Sequence, residues 1–203
     1  MDLQGSCHCG QVKFTCISHT PVPYMLCYCS ICRKLQGGSG SNINIMAVAE
    51  SLRIIQGEQS IKNYVALPET RGPAKLDHDI DGSNDDETTK AKEGGQSQRS
   101  AKQRMVVTRK AGYDRKFCMT CGSYLWGFDS DYADNIYPFA SAIDTDLPVP
   151  EVTYHIKLNS TTQWADPRNP VYRHANETTQ CFFDDYPDSA IIDWHKKHGH
   201  YVD

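Results

Sequence analysis

The sequence lacks the features that would place the protein in a membrane or outside the cell. None of its apolar runs approaches the roughly 20 residues that a membrane-spanning helix needs. The first residues, Met1-Asp2-Leu3-Gln4, lead into Cys7 without the apolar stretch of a removable signal peptide. We therefore expect a protein of the cytoplasm that has no membrane partner.

Positive charge is also scarce. The formal net charge is −4, the pI is about 6.0, and no basic tail is present. The only loosely basic stretch, residues 90–110, follows an acidic stretch that would repel phosphate groups. These features argue against a nucleic-acid partner and leave small molecules as the expected ligands.

Apolar side chains are few for a globular chain. They make up 39% of the 203 residues, and the mean hydropathy is −0.57. Segment 68–103 is almost free of them, with acidic residues in its first half and basic residues in its second. Such a segment buries too little surface to offset its ordering entropy, so we predict a mobile insertion. The simplest organisation is one domain over residues 1–165 with this insertion, and a C-terminal extension, residues 166–203, packed on it.

Cysteine, in contrast, is abundant and clustered. Seven of the nine cysteines fall into three groups: Cys7-His8-Cys9, Cys27-Tyr28-Cys29-Ser30-Ile31-Cys32 and Cys118-Met119-Thr120-Cys121. Thiolates this close in sequence can converge on one zinc ion at Zn–S distances of about 2.3 Å. Two cysteines separated by a single residue are poorly placed for an unstrained disulfide. Bound zinc is therefore the expected role of the groups.

The number of thiols favours two zinc ions. A structural site takes four protein ligands, whereas a catalytic site typically takes three and keeps one position open. The three-cysteine cluster, which is Cys27, Cys29 and Cys32, offers three ligands within six residues and can hold an ion alone. We assign the remaining thiols to the four-cysteine cluster, which is Cys7, Cys9, Cys118 and Cys121. This assignment follows from economy, and other partitions of seven thiolates stay open at this point.

Alternatives exist for each cluster. A fourth ligand such as His155 or a carboxylate would close the three-cysteine site and make it structural. A redox role for Cys118-Met119-Thr120-Cys121 is disfavoured because the motif lacks a βαβ context. Arg33 and Lys34 directly follow Cys32 and could bind a substrate carboxylate, although two basic residues on a turn are often only surface residues.

The remaining pattern predicts a mainly β fold. Alternation over residues 11–16 predicts a strand with Cys16 as a core thiol, and further strands are predicted at 42–48, 53–56, 105–108 and 152–158. A short C-terminal helix is predicted at 189–198, ending at Gly199. His195, His198 and His200 are expected to be solvated rather than metal-bound.

Three segments contain the cysteine groups in a specific context. Gly5-Ser6-Cys7-His8-Cys9-Gly10 leads into an alternating strand, basic residues follow Cys32, and Phe117-Cys118-Met119-Thr120-Cys121-Gly122-Ser123 is followed by Tyr124-Leu125. His155-Ile156 precedes Trp164. Over about residues 4–67 and 104–165, this combination resembles the glutathione-dependent formaldehyde-activating enzyme family, which includes centromere-protein-V-like members.

The resemblance implies an Mss4-like fold in which zinc cross-links the β structure. It also implies a structural zinc on the four-cysteine cluster and a catalytic zinc on the three-cysteine cluster. Glutathione would be the co-substrate and formaldehyde the carbonyl substrate, giving S-hydroxymethylglutathione. The insertion and the segment after Asp166 depart from the family pattern and could rebuild the substrate pocket.

The expected function is that of a zinc-dependent carbon–sulfur lyase. A three-thiolate zinc with an open position can hold a thiolate or polarise a carbonyl oxygen, and either role favours addition of a thiol to an aldehyde. One alternative is the same chemistry on a larger carbonyl or glutathione conjugate. Another is a zinc-stabilised interaction module without catalysis, as attributed to the centromere-protein-V-like branch.

Overall fold

Short β-strands dominate the computed structural model, which describes residues 1–36, 38–65, 113–169 and 179–203. The described strands are β1 (Asp2–Ser6), β2 (Lys13–Ile17), β3 (Met25–Cys27), β4 (Asn42–Ile43), β5 (Ala47–Val48), β6 (Arg53–Gln56), β7 (Ile61–Val65), β8 (Asp114–Cys118), β9 (Tyr124–Phe128), β10 (Asn135–Pro138), β11 (Val152–Ile156) and β12 (Thr179–Phe182). The α-helices are α1 (Ser30–Gln36) and α2 (Ile191–Lys197). The prediction of a mainly β fold with a C-terminal helix is confirmed.

These strands form three sheets, with the orders β1-β2-β6, β5-β10-β9-β8-β7 and β12-β11-β3-β4. Neighbouring strands are antiparallel except that β11 runs parallel to both β3 and β12. Within the described part of the chain, no helix is long and apolar enough to cross a membrane. The insertion predicted at 68–103 and the strand predicted at 105–108 lie outside the described residues.

The main core lies between the first two sheets. Phe14 of β2 packs on Trp126 of β9 with ring centroids 5.0 Å apart, and Leu3 and Leu125 are fully buried beside them. Alternation along β2 places Cys16 on the same buried face as Phe14, as the sequence predicted. Burial raises the pKa of the Cys16 thiol to about 12, so this cysteine is an inert core residue.

The strand predicted at 42–48 is wrong as a single element, because the chain changes sheets within it. β4 pairs with β3, whereas β5 pairs with β10. Between them Asn44 bridges to Phe139, and the Ile45 N–H donates to the Pro138 carbonyl at 2.7 Å. Hydrophobic alternation marks the extended backbone of both pieces but carries no information about the change of partner.

Two other strand ends follow from local backbone geometry. β6 ends before Gly57 as predicted; this glycine has φ +76°, and a Cβ there would collide with the Gln11 carbonyl. β11 is shorter than predicted and ends at Ile156, because Lys157 adopts φ 61°. The same turn brings the Lys157 ammonium to 2.8 Å from a carboxylate oxygen of Asp185.

The C-terminal helix packs through aromatic rings. Trp194 of α2 stacks on Tyr24 with centroids 3.8 Å apart, and both side chains are almost fully buried. The helix ends before Gly199, which has φ 70°, close to the predicted end. β12 pairs with β11, so residues on both sides of position 165 share one sheet. The division at residue 165 stays a prediction.

The expectation that His195 is solvated is wrong. Its side chain is 0% exposed and is held at both ring nitrogens. Nδ1 donates to the Ile191 carbonyl at 2.8 Å, and Nε2 accepts the Val22 N–H at 3.1 Å. The position near the chain end suggested exposure, but i to i+4 hydrogen bonding and the neighbouring Trp194 place this histidine on the inner face of α2.

Lowering the pH should destabilise the protein through His195. Desolvation lowers the pKa of His195, and the nearby His200 and His198 act in the same direction against the hydrogen bond to Ile191. The unfolded chain therefore takes up this proton first, and stability falls as pH drops below about 6.5. Between about pH 7.5 and 5.5, His195→Gln should lose less melting temperature than the wild type. The exposed control His8→Gln should behave like the wild type; an identical loss in all three proteins would contradict the prediction.

Candidate functional site

The four-cysteine cluster is assembled from two segments far apart in sequence. Cys7, Cys9, Cys118 and Cys121 place their sulfur atoms within 4.8 Å of one another. The Sγ atoms of Cys7 and Cys9 are 3.5 Å apart, and those of Cys9 and Cys118 are 3.9 Å apart. Tetrahedral zinc with Zn–S bonds of about 2.3 Å requires S···S distances of about 3.8 Å. The donor set and its spacing therefore fit zinc.

Two glycine turns shape this cluster. After β1, the Gly10 N–H donates to the Cys7 carbonyl at 2.9 Å, and after β8 the Gly122 N–H donates to the Cys118 carbonyl at 2.8 Å. Both glycines have positive φ, 72° and 75°, which a residue with a Cβ adopts only with strain. The Val12 N–H donates to the Cys7 sulfur at 3.2 Å, the kind of contact that stabilises a thiolate ligand.

Direct hydrogen bonds also join the two turns. The His8 N–H donates to the Ser123 hydroxyl at 3.1 Å, and the Thr120 hydroxyl donates to the Gln11 side-chain oxygen at 2.6 Å. A hydrogen bond with Ser123 lowers the pKa of the Cys121 thiol to about 5. These hydrogen bonds thus link the turn after β1 to the turn after β8 and favour ionisation of the Cys121 sulfur.

The three-cysteine cluster lies where β3 meets α1. Cys27 ends β3, while Cys29 and Cys32 flank the start of the helix, and their sulfur atoms also lie within 4.8 Å of one another. All three side chains are buried, against Ile156 and Phe183. Among the described residues, no histidine, carboxylate or further cysteine joins the three sulfur atoms as a fourth member of the group. The donor set fits zinc with one position left for another ligand.

The backbone at α1 prepares this cluster for negative charge. The Cys32 N–H donates to the Cys29 sulfur at 3.4 Å, and the Arg33 N–H donates to the Cys29 carbonyl at 2.9 Å. Hydrogen bonds from Cys27 and then from Cys32 hold the pKa of the Cys29 thiol well below its usual range, while the same pairing raises the pKa of Cys27. The backbone N–H of Cys32 is therefore placed to stabilise an ionised Cys29 sulfur.

A tyrosine and a histidine form a buried pair beside the cluster. Tyr28 lies between Cys27 and Cys29, and its hydroxyl is 2.9 Å from Nδ1 of His155 on β11. The Tyr28 N–H donates to the Ile156 carbonyl at 3.0 Å, which fixes the tyrosine against β11. His155 thus contacts the tyrosine that lies between two of the cysteines. It does not join the three sulfur atoms, as it would if it were the fourth zinc ligand.

Comparisons with known proteins identify the family of this chain. The family model described as glutathione-dependent formaldehyde-activating enzyme matches residues 2–74. A Halomonas elongata protein named "Putative glutathione-dependent formaldehyde-activating enzyme" is 34% identical over 199 residues, covering 98% of each chain. The chain belongs to the glutathione-dependent formaldehyde-activating enzyme family. A crystal structure of a Rhodobacter sphaeroides protein covers 73% of this chain and 92% of that chain, with 17% identity and a TM-score of 0.42.

Membership of the glutathione-dependent formaldehyde-activating enzyme family covers both clusters. The family model includes Cys7, Cys9 and the three-cysteine cluster, and the alignment with the Halomonas elongata protein extends over nearly the whole chain. The family resemblance drawn from the sequence is therefore confirmed. The roles of individual cysteines as zinc ligands stay predictions that the sulfur geometry supports.

The two predicted basic residues lie on α1 rather than on a turn. Arg33 and Lys34 are in the middle of this helix, directly after Cys32. Lys34 is exposed, whereas Arg33 is half-buried and its Nε atom has no hydrogen-bond partner within the described part of the chain. Of the two, Arg33 is better placed to bind a group that approaches the three-cysteine cluster.

A third cation, Arg115, was not predicted as a site residue from the sequence. It is the second residue of β8 and is only 5% exposed. The alternation of residues 114–118 does not show whether the arginine side chain is buried or exposed, and arginine is usually exposed.

Tyr28, in contrast, could have been predicted as a site residue from the sequence, because it lies between two metal-ligand candidates.

Proposed function

We propose that the protein is a zinc-dependent carbon–sulfur lyase that adds glutathione to formaldehyde and catalyses the reverse cleavage. Support comes from family membership together with the three-cysteine cluster, whose sulfur atoms have no fourth histidine, cysteine or carboxylate partner among the described residues. A zinc ion held by these thiolates would supply an open position that favours the ionised form of an incoming thiol. The cluster is the observation that carries the proposal.

The reaction forms one bond and moves one proton. The sulfur of the thiol attacks the carbonyl carbon, the carbon–oxygen double bond becomes a single bond, and the proton lost by the thiol is balanced by one gained by the oxygen. Tyr28 and His155 form a pair beside the cluster, in which the Tyr28 hydroxyl is hydrogen-bonded to His155 Nδ1, and this pair can hold that proton. In the cleavage direction the same pair returns it.

The surroundings of the cluster favour a reaction shielded from water. Tyr28 and His155 are buried, and Ile156 and Phe183 pack against the cysteines. Exclusion of water strengthens electrostatic interactions and limits side reactions of the aldehyde. Arg33 on the adjoining helix turn is suited to pair with a carboxylate of glutathione.

Magnetisation exchange between free glutathione and S-hydroxymethylglutathione tests this function. Formaldehyde and glutathione also combine without a catalyst, so the rate of exchange, and not the amount of adduct, is the readout. Zinc-loaded wild type should raise the exchange rate by roughly 100-fold, the scale of positioned proton transfer, and Cys181→Ser, which alters a cysteine outside both clusters, should match it.

Other outcomes would redirect the assignment. Acceleration only with larger carbonyls would favour the second enzymatic alternative. No acceleration with any carbonyl, combined with no effect of glutathione on the melting temperature, would contradict the enzyme proposal and favour a non-catalytic module.

A further inference from the structure

Arg115 is a charged side chain in a position where charge is costly. It is the second residue of β8, an inner strand of its sheet, and it pairs with Tyr64 of β7 and Gly127 of β9. Its side chain is 5% exposed. Removing a guanidinium from water is unfavourable unless an anion or a full set of hydrogen bonds compensates it.

The described residues supply no such anion. The guanidinium lies near two aromatic rings, 5.2 Å from the Tyr113 centroid and 5.5 Å from the Phe139 centroid. Within the described ranges no carboxylate forms an ion pair with it: the adjacent Asp114 is 3.7 Å from Lys116, and Asp129 accepts the Asp131 N–H. Cation–π contacts compensate a buried charge only in part.

The fold makes room for the guanidinium on the neighbouring strand. Gly127 is the cross-strand partner of Arg115, and a Cβ at position 127 would collide with the Arg115 Nη1 atom. Gly127 has no positive φ that would require glycine for backbone reasons. The missing side chain therefore provides space, and that space lets the arginine lie across β9.

A short chain of contacts joins Arg115 to the three-cysteine cluster. Cys27 pairs with Asn42, whose side chain donates to Asn44 at 2.8 Å. Asn44 bridges to Phe139, and the Phe139 ring lies under the guanidinium. Two residues of one segment, Asn42 and Asn44, and the Phe139 ring thus lie between Cys27 and the guanidinium.

We propose that Arg115 is a binding residue for a carboxylate of the thiol substrate whose sulfur is held at the three-cysteine cluster. This inference rests on the proposed function. A bidentate pair with a carboxylate would compensate the buried charge that the described residues leave unpaired. Glutathione carries two carboxylates, and Arg33, which directly follows Cys32 on α1 and whose buried Nε has no partner among the described residues, is a candidate to bind the other one.

Comparison of glutathione with glutathione diethyl ester tests this directly. The ester keeps the thiol but carries no carboxylate. Zinc-loaded wild type, titrated by calorimetry, should bind glutathione about 10- to 100-fold more tightly than the ester, as expected for a charge-assisted hydrogen-bonded pair. Arg115→Gln should bind glutathione more weakly than wild type and the ester equally well, so that its preference falls to the part that Arg33 supplies. Lys62→Gln, at an exposed position on β7, should keep the full preference.

Each other outcome has a defined meaning. Equal affinity of wild type for the two thiols overturns the proposal without any variant. Equal weakening of both thiols in Arg115→Gln also overturns it, because the arginine would then serve the cysteine charge or the fold. If Arg115→Gln does not fold, Arg115→Lys is the second variant, because lysine keeps the charge but lacks the planar guanidinium that makes two parallel hydrogen bonds. It should retain a reduced preference for glutathione. An unchanged preference would contradict the bidentate pair. Failure of wild type to bind either thiol would instead contradict the proposed function.

Discussion

Replacement of Cys118 with serine should unfold the protein or lower its melting temperature severely, with loss of one zinc equivalent. Cys118 is fully buried at the end of β8, where its sulfur lies 3.9 Å from that of Cys9. A zinc ion at this cluster would cross-link segments more than 100 residues apart in the sequence, and metal binding there is folding free energy. We therefore expect this substitution to lower the stability more than the substitution of any cysteine outside the four-cysteine cluster.

The expected magnitude follows from the energies involved. Structural zinc contributes about 10 kcal/mol or more of apparent binding free energy in small zinc domains. The whole free energy of unfolding of a domain is about 5–15 kcal/mol. Loss of one of four ligands can thus remove a large share of the stability, since the direct hydrogen bonds between the two turns, from His8 to Ser123 and from Thr120 to Gln11, are exposed to solvent.

Cys16→Ser is the matched control for this experiment. Cys16 is equally buried and undergoes the same chemical change, but it lies outside both clusters. A buried hydroxyl without a partner costs about 1–3 kcal/mol, so the control should melt several degrees lower and keep its full zinc content. Chelator titration of wild type should release zinc in two steps, and Cys118→Ser should show only the step from the three-cysteine cluster. Equal destabilisation of the two variants would contradict the structural role.

The arrangement of the cysteines could be predicted from sequence because metal ligands leave a local signature. Spacings of one and two residues indicate convergence of sulfur atoms, and the count of seven indicates a group of four and a group of three. The structure brings together these two groups with no exchange of members. The turns at Gly10 and Gly122 can also be predicted from the sequence, since a glycine that follows a ligand pair indicates a tight turn.

Pairing between distant strands could not be predicted in the same way. β11 lies parallel to β3 and β12, and this pairing brings His155 to Tyr28 across 127 positions of the chain. A period-two pattern indicates that a segment is extended but does not identify its neighbour. For this reason His155 could be considered as a metal ligand, although its contact in the fold is with the tyrosine between two cysteines.

Buried polar residues are the other class that the sequence concealed. His195 and Arg115 are of types that are usually exposed, and composition therefore predicts a surface position for each. His195 is compensated by a hydrogen bond to the Ile191 carbonyl within α2 and by one from the Val22 N–H, which forms only when α2 packs on the segment before β3. Arg115 has no such compensation among described residues, and this difference separates a structural buried group from a candidate binding residue.

Replacement of Cys29 with serine should abolish catalysis while leaving the fold intact. Hydrogen bonds with Cys27 and Cys32 hold the pKa of the Cys29 thiol well below its usual range, and its sulfur accepts the Cys32 N–H at the start of α1. All three thiols lie within one short segment, so this site cross-links no distant parts of the chain. Loss of an outer-shell partner of a metal ligand already costs about 10- to 100-fold in affinity or activity, and loss of a ligand itself should exceed that.

The measurement pairs glutathione exchange with thermal denaturation. Cys29→Ser should lower the exchange rate by at least about 100-fold, and its melting temperature should fall by no more than about 4 °C, equivalent to roughly 1 kcal/mol for a domain of this size. Cys181→Ser, a half-buried cysteine of β12 outside both clusters, should retain full activity. Activity retained in Cys29→Ser would show that this thiol is not required for catalysis, whereas unfolding comparable to that of Cys118→Ser would show that both clusters are structural. The expected separation of the two phenotypes follows from position: the four-cysteine cluster joins residues at the ends of β1 and β8, whereas the three-cysteine cluster lies within one short segment that includes Tyr28.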